Sequence, residues 1–291
     1  MGPILDALFC TDRKGLPFFA VAATSLAINK PASLRRAFLF STDVSPKDVS
    51  KLFFALKKKY GLLFELVPLE DASPQDFPIS RHVTVGTYFR LFAGDLLPPD
   101  VTRVLYLDID TVVDKPLHSH LPQVLDQLEQ SDAVLAAVSE TQRPSHLLDR
   151  SITSGPYFQA GVMVIDLTRW RQLANMSTFV KIITKHGKTL KWWDQDVLNI
   201  AFEGLWLELP KSWNGTPERR SAATLIYHWA GPDKPWNFRN RVSNRGVWEK
   251  YRRLTPALRP PPIPYRQITH HYVSVVKRLI RKSARVVDIR A

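Results

Sequence analysis

A single cysteine, Cys10, in 291 residues excludes an intramolecular disulfide, and a fold without such staples suits a reducing compartment. The longest early apolar run, 16–28, is interrupted by Pro17, Thr24 and Ser25. It falls short of the roughly 20 residues a membrane-spanning helix needs. No basic segment precedes an apolar stretch at the N-terminus, where Asp6 stands instead, so a secretory signal is not expected. A cytoplasmic protein is the expectation. No internal repeat is visible, which excludes a repeat architecture. Acids are also scarce: 27 Asp and Glu stand against 40 Lys and Arg, a formal net charge of +13. That surplus favours an anionic partner, whether nucleic acid, an acidic membrane or a phosphorylated substrate, and charge alone does not choose among them. What the chain does have is apolar material: at 45% hydrophobic residues it can build the core of one long α/β unit.

The first hundred residues alternate strand and helix signals. Residues 4–10 read as a buried strand, 18–28 as a packed helix and 37–40 as a second strand. Ser45 as N-cap, Pro46 at the first helical position and Asp48 in the first turn mark a helix start. Leu52, Phe53 and Leu56 supply its apolar face, Lys57 to Lys59 complement the negative end of its dipole, and Gly61 ends it. A third strand over 62–67 completes a βαβαβ rhythm, which predicts a largely parallel sheet covered by helices. Pro74 and Pro78 make 70–80 a loop. Further on, a helix is expected over 85–97 and strands over 101–107, 133–138, 161–167 and 225–228. Helices are expected over 168–186 and 196–202.

From Pro256 the character changes. Pro260, Pro261, Pro262 and Pro264 suit a stiff linker over 256–264. The tail, 265–291, carries seven Lys and Arg against one acid, Asp288. On a helical projection, apolar residues from Val273 to Val287 fall on one side and the basic ones from Lys277 to Arg285 on the other. That pattern suits a helix lying on an anionic membrane surface; a terminal helix docked on the core is the alternative. The expected organisation is one domain over 1–255, the linker, and the basic tail.

Asp108 and Asp110 end the apolar run Val104-Leu105-Tyr106-Leu107. In open α/β sheets ligands bind outside the carboxyl ends of the strands, and two hard carboxylates there suit magnesium or manganese. The apolar Ile109 between them lets strand alternation turn both the same way. Alone, Asp-x-Asp is weak, since acids after a strand also cap helices. A second piece runs from Ile226 to Trp236. In it His228 offers a third ligand and Lys234 a cation for a diphosphate. Gly231 and Pro232 make the turn that brings both inward.

These pieces resemble glycosyltransferase family 8, which includes bacterial lipopolysaccharide galactosyl- and glucosyltransferases. The matching stretches are Thr87-Tyr88-Phe89-Arg90-Leu91, Val104 to Asp110, Tyr157 to Leu167, Asp194-Gln195-Asp196-Val197-Leu198-Asn199, and His228 to Trp236, in the family's order. The resemblance implies a GT-A fold, a Rossmann-like αβα sandwich served by a UDP-sugar and manganese. It implies Asp108, Asp110 and His228 as metal ligands. The implied donor-binding set is Asp12, Arg90, Asp108, Ile109, Gln159, Ala160, Gly161, Gly231 and Lys234. Asp12 matches a nucleoside contact, Arg90 a residue near sugar and phosphate, Lys234 the diphosphate contact, and Ala160-Gly161 a tight turn beside the sugar. Asp194 and Gln195 match the residues on the sugar face where a nucleophile would stand. Two positions depart from the pattern. Gln159 stands where the family has Asn, and Glu140 where close galactosyltransferases carry an Asp that touches the sugar.

The expected activity is retaining transfer of glucose or galactose from a UDP-sugar to a saccharide or glycolipid, such as a lipopolysaccharide core. The basic tail would hold the enzyme at the inner face of a cell membrane. Asp108-Ile109-Asp110-Thr111-Val112 also resembles the nucleophile motif of haloacid-dehalogenase-type phosphatases, but about a hundred residues of α/β pattern precede it and no later paired-Asp strand end completes that site. A donor-binding protein with little transferase activity is a third reading. A nucleic-acid partner is not expected, because the tail lacks interleaved aromatics beyond Tyr265 and Tyr272.

Overall fold

A computed structural model of the chain describes residues 4–69, 85–140, 147, 153, 155–216, 220–237 and 242–261. Its seven-stranded sheet comprises β1 (Leu5–Cys10), β2 (Leu34–Ser41), β3 (Leu63–Pro68), β4 (Arg103–Leu107), β6 (Leu135–Ser139), β7 (Phe158–Asp166) and β8 (Trp206–Glu208). Two further strands, β5 (Thr111–Val113) and β9 (Ile226–His228), pair apart from it. Across the large sheet the order is β3-β2-β1-β4-β7-β6-β8. Four of its six pairings are parallel, and β7 runs antiparallel to both neighbours, β4 and β6. The sheet is therefore mainly parallel, as the βαβαβ rhythm predicts, with one reversed central strand.

Strand alternation divides the core in two. Leu5, Ala7, Phe9, Ala37, Leu39, Leu105 and Leu107 pack under α1 (Leu16–Asn29), α2 (Pro46–Tyr60) and α4 (Leu121–Glu129). Leu8, Phe38, Phe40, Val104 and Tyr106 face α5 (Leu167–Leu173), α6 (Met176–His186) and α7 (Trp193–Ala201), with the short α3 (Ala93–Leu96) on the same side. A third cluster joins Val21 of α1 and Val112 of β5 to Trp229, and to Trp248 and Tyr251 of α8 (Arg245–Leu254). It fixes the small β5–β9 sheet against the body. Cys10 is buried, and burial pushes its thiol well up, so it is an inert core residue.

The helix start read at Ser45 is present. The Asp48 carboxylate accepts from the Ser45 N–H at 2.8 Å and its hydroxyl at 2.6 Å, and the Gly61 N–H closes the helix on the Lys57 carbonyl at 2.9 Å. Other expectations need correction. The single helix over 168–186 is two, because Ala174 is extended and Asn175 caps a new start by accepting from the Thr178 N–H at 3.1 Å. The helix over 85–97 is a 3-10 helix, Val85–Phe92, followed by α3. The strand over 225–228 does not join the main sheet but forms β9. The loop expected over 70–80 and the tail over 265–291 lie outside the described residues. The described part of the proline-rich stretch packs on the domain: Ala257 and Leu258 touch the core, and Arg252 donates to the Pro260 carbonyl at 2.9 Å. Among the described residues, no helix is long and apolar enough to cross a membrane.

Candidate active site

The chain turns immediately after β4. The Thr111 N–H and hydroxyl both donate to the Asp108 carbonyl, at 3.1 and 2.7 Å. This turn, rather than strand alternation, directs Asp108 and Asp110 to one place. β5 then pairs antiparallel with β9, setting Thr111 opposite His228, and the Trp229 N–H donates to the Asp110 carbonyl at 3.1 Å. Backbone pairing thus delivers a histidine distant in sequence to the two carboxylates. One ligand atom from each of Asp108, Asp110 and His228 lies within 4.8 Å of the others. His228 Nε2 stands 3.2 Å from Asp110 Oδ1 and 3.7 Å from Asp108 Oδ2. Two hard oxygens and an imidazole nitrogen suit a divalent cation. Space is kept by Gly161 on β7: a Cβ there would stand 2.6 Å from Asp108 Oδ2 and collide with the His228 ring. The donor set and the cradle both fit a metal ion.

The remaining oxygens of the carboxylate pair are held by the protein. Asp108 Oδ1 accepts from the Tyr106 hydroxyl at 2.7 Å and pairs with Arg90 at 2.9 Å. Asp110 Oδ2 pairs with the Lys234 ammonium, which also donates to the Trp229 carbonyl at 2.9 Å. Burial alone would raise the Asp110 carboxyl, but Lys234 and then His228 outweigh it and hold it well below the carboxylate range.

Arg90 joins the Asp108–Asp110–His228 cluster to the next part of the site. It donates to the Ala160 carbonyl at 2.7 Å, sits over the Tyr106 ring at 4.5 Å and reaches Asp194 Oδ2 at 2.7 Å. Burial disfavours its charge, yet Asp108 and Asp194 together raise its pKa further above the ordinary arginine value. The Asp194 carboxylate is almost fully buried, and its Oδ2 makes the ion pair without an aligned hydrogen bond. Burial first, then the charge of Asp108, push Asp194 up to about 7 against the opposing pull of Arg90.

Residues 194–199 divide their work between helix and sheet. Asp196, not Asp194, serves the start of α7: its Oδ2 accepts from the Lys191 and Trp192 N–H groups at 2.8 and 2.9 Å, and its Oδ1 from the Tyr157 hydroxyl at 2.6 Å. Trp193 is held at φ 45°, a costly backbone for a non-glycine residue and one common at functional sites. Asn199 bonds both the N–H and the carbonyl of Phe158. Gln195 Oε1 accepts from the Ala160 N–H at 2.9 Å. With these groups tying α7 to β7, Asp194 is left facing Arg90.

The other residues of the implied set are placed as follows. Asp12 closes the turn after β1, accepting from the Gly15 N–H at 2.9 Å. Ile109 packs against Gly15 of the same turn, since a Cβ on Gly15 would come within 2.7 Å of Ile109 Cδ1. Gly231 has φ +84°, a left-handed turn that favours glycine and leads to Lys234. Glu140 follows β6, its N–H donating to the Tyr157 carbonyl at 2.8 Å. Ala160 and Gly161 form no tight turn; both lie within β7. Gln159 Oε1 accepts from the Gly161 N–H at 2.8 Å and from the Asn214 side chain.

Three residues of the site, Tyr106, Tyr157 and Asn214, carry little signal in the sequence. Tyr106 and Tyr157 occupy core positions and look like apolar filling. Asn214 sits before Gly215, a pair that resembles any polar turn; only the pairing of this loop with β9 reveals its place beside His228.

An αβα sandwich with carboxylates at the tip of its central strand defines a GT-A glycosyltransferase fold. The chain matches the structure of galactosyltransferase LgtC in complex with donor and acceptor sugar analogues, with a TM-score of 0.70 and 24% identity, over 90% of this chain and 99% of that one. A model described as Glycosyl transferase family 8 matches residues 7–240, and the chain belongs to that family. It is 27% identical to lipopolysaccharide 1,2-glucosyltransferase of Escherichia coli (strain K12) over 253 residues, 80% of this chain and 73% of that protein. It is 26% identical to lipopolysaccharide 1,3-galactosyltransferase of Salmonella typhimurium over 221 residues, 69% of this chain and 64% of that protein. Family membership decides against the phosphatase reading of the Asp108 motif.

Proposed function

We propose that this chain is a metal-dependent, retaining hexosyltransferase. It moves glucose or galactose from a UDP-sugar to a saccharide or glycolipid acceptor, a lipopolysaccharide core being the favoured case. The observation that carries the reading is the convergence of Asp108, Asp110 and His228, with their ligand atoms within 4.8 Å, beside the Arg90–Asp194 ion pair. The names of the matched glucosyl- and galactosyltransferases support a hexose and a lipopolysaccharide acceptor.

In this reading Asp108, Asp110 and His228 hold manganese or magnesium, which when bound supplies Lewis-acid stabilisation of the donor's diphosphate. Lys234, already beside Asp110, is the protein's own cation for the charge that grows on that leaving group. Asp12 and Ile109 line the nucleoside end, and the Gly231 turn sets the reach of Lys234. Arg90 orients sugar and phosphate. Asp194, held by its ion pair with Arg90, positions the sugar. Gln195 uses one lone pair on Ala160 and keeps another for the electron-poor ring carbon. The bond from the anomeric carbon to the phosphate oxygen breaks while the acceptor oxygen bonds the same face. The acceptor's proton passes to the departing phosphate. Glu140, one methylene longer than the family's Asp, bears on which hexose is accepted.

We also assign 1–255 as the catalytic domain and the basic tail, 265–291, as its attachment to anionic membrane on the cytoplasmic side, with no nucleic-acid partner. The test is incubation with UDP-glucose or UDP-galactose, manganese and truncated lipopolysaccharide acceptors, followed by NMR of the product. A product with the donor's anomeric configuration is expected; turnover unaffected by chelator, or an inverted product, contradicts the proposal. Sedimentation of the full chain with phosphatidylglycerol vesicles tests the tail, and equal sedimentation after removal of 265–291 contradicts that role.

A further inference from the structure

The hydrogen bonds around His228 have a direction. Gln159, Asn214 and His228 are all buried, so their polar groups must satisfy one another. At one end stands a backbone group whose role is unambiguous. The Gly161 N–H can only donate, and it meets the Gln159 side chain at 2.8 Å; the atom it meets is therefore the amide oxygen. That same oxygen meets Asn214, and an oxygen can only accept, so Asn214 turns its NH2 towards Gln159. The other end of the Asn214 amide, its oxygen, then faces His228 Nδ1 at 2.9 Å. Nδ1 must carry the hydrogen. In a neutral imidazole this leaves the lone pair on Nε2, the nitrogen that faces Asp110 and Asp108.

We propose that Asn214, steered by Gln159 and the Gly161 N–H, is the positioning residue that fixes the tautomer and ring orientation of His228 and so presents Nε2 to the metal. The inference rests on the reading that Asp108, Asp110 and His228 hold a divalent cation. Backbone pairing keeps the relay in register. Gly215 bridges to Tyr227, the His228 N–H donates to the Gly215 carbonyl at 3.2 Å, and the Gly215 N–H donates to the Ile226 carbonyl at 2.8 Å. Asn214 therefore cannot slide relative to the ring it orients. The relay also accounts for Gln159, whose amide oxygen is committed to Gly161 and Asn214 rather than to a sugar. Outer partners that orient a ligating histidine typically contribute about 10–100-fold in metal affinity.

The experiment uses the full chain as wild type, Asn214→Leu, Asn214→Asp and His228→Ala. Manganese affinity is measured by electron paramagnetic resonance with UDP present, and the tautomer of His228 by long-range proton–nitrogen NMR of the protein with UDP and saturating diamagnetic magnesium in place of manganese. Asn214→Leu removes the acceptor at similar size. The expected result is affinity about 10–100-fold weaker, with His228 losing its pure Nδ1–H form. Asn214→Asp keeps an oxygen acceptor for Nδ1 while its second oxygen faces Gln159 Oε1 without a hydrogen, so it is expected to retain the Nδ1–H form that Asn214→Leu loses, although its bond to Gln159 is gone. That rescue separates orientation from a general loss of packing. Unchanged affinity and tautomer in a folded Asn214→Leu protein overturn the relay. If wild type binds no manganese, or His228→Ala binds it as well as wild type, the metal reading falls instead, and the inference with it.

Discussion

Lys234 and Asp110 form an ion pair within the Asp108–Asp110–His228 cluster: the ammonium bonds Asp110 Oδ2 while Oδ1 of the same carboxylate faces His228. A lysine so placed neutralises the carboxylate before any metal arrives. It also stands where a diphosphate would meet it. These two roles pull a Lys234→Met variant in opposite directions. Manganese alone is expected to bind about tenfold tighter, the equivalent of about 1.4 kcal/mol, because no cation competes for Asp110. UDP-hexose in the presence of manganese is expected to bind about tenfold more weakly. Calorimetric titrations of each ligand check this, and a variant weakened for both contradicts the dual role.

Gly161 gives the sharpest steric test. A methyl group there meets Asp108 Oδ2 at 2.6 Å and the His228 ring, and the backbone does not open to relieve it, because β7 is paired to β4 and β9 to β5. Gly161→Ala is expected to fold with a stability loss of about 1–3 kcal/mol and to lose at least about tenfold in manganese affinity. Circular dichroism and metal titration separate the two effects. Wild-type affinity in this variant would show that the cradle is not where the metal sits.

The Asp194 carboxyl ties stability to pH. Its ordinary value is 3.8, and in the folded chain it stands at about 7, chiefly through burial. Between those values the folded protein keeps a proton that the unfolded chain has released. Stability from this group is therefore complete below about pH 4 and is lost as pH rises to about 7. Asp194→Asn removes the dependence. In metal-free protein, the melting temperature of wild type minus that of the variant is expected to fall by several degrees from pH 5 to pH 8, at roughly 2–4 °C for each kcal/mol. Parallel melting curves across that range contradict the assignment.

Much of this molecule is legible in its sequence, for reasons that are local. The Ser45–Asp48 start and the Gly61 stop of α2 depend on caps within a few residues, and both are where the pattern puts them. The apolar run before Asp108 is a buried central strand because its residues fill both faces of a covered sheet. Non-local features are harder to read. The reversal of β7 depends on partners on both sides, since a buried strand has the same apolar pattern in either direction. The break between α5 and α6 turns on an extended Ala174, where helix propensity points the other way. In the candidate site, the charged and ligating residues announce themselves by type and place. Asn214 does not, because an asparagine before a glycine is ordinary in any turn. Its meaning comes only from the strand pairing that brings it to His228.

The most direct test of the central claim is the melting temperature of the metal-free chain with UDP-glucose or UDP-galactose, with and without manganese, for wild type and Asp110→Ala. A ligand that binds only the folded state raises the transition by mass action, about 2.7 kcal/mol at a hundred times its dissociation constant. The account predicts stabilisation by one UDP-hexose that requires manganese and disappears in Asp110→Ala. Stabilisation that persists in chelator, or that survives loss of Asp110, would contradict it.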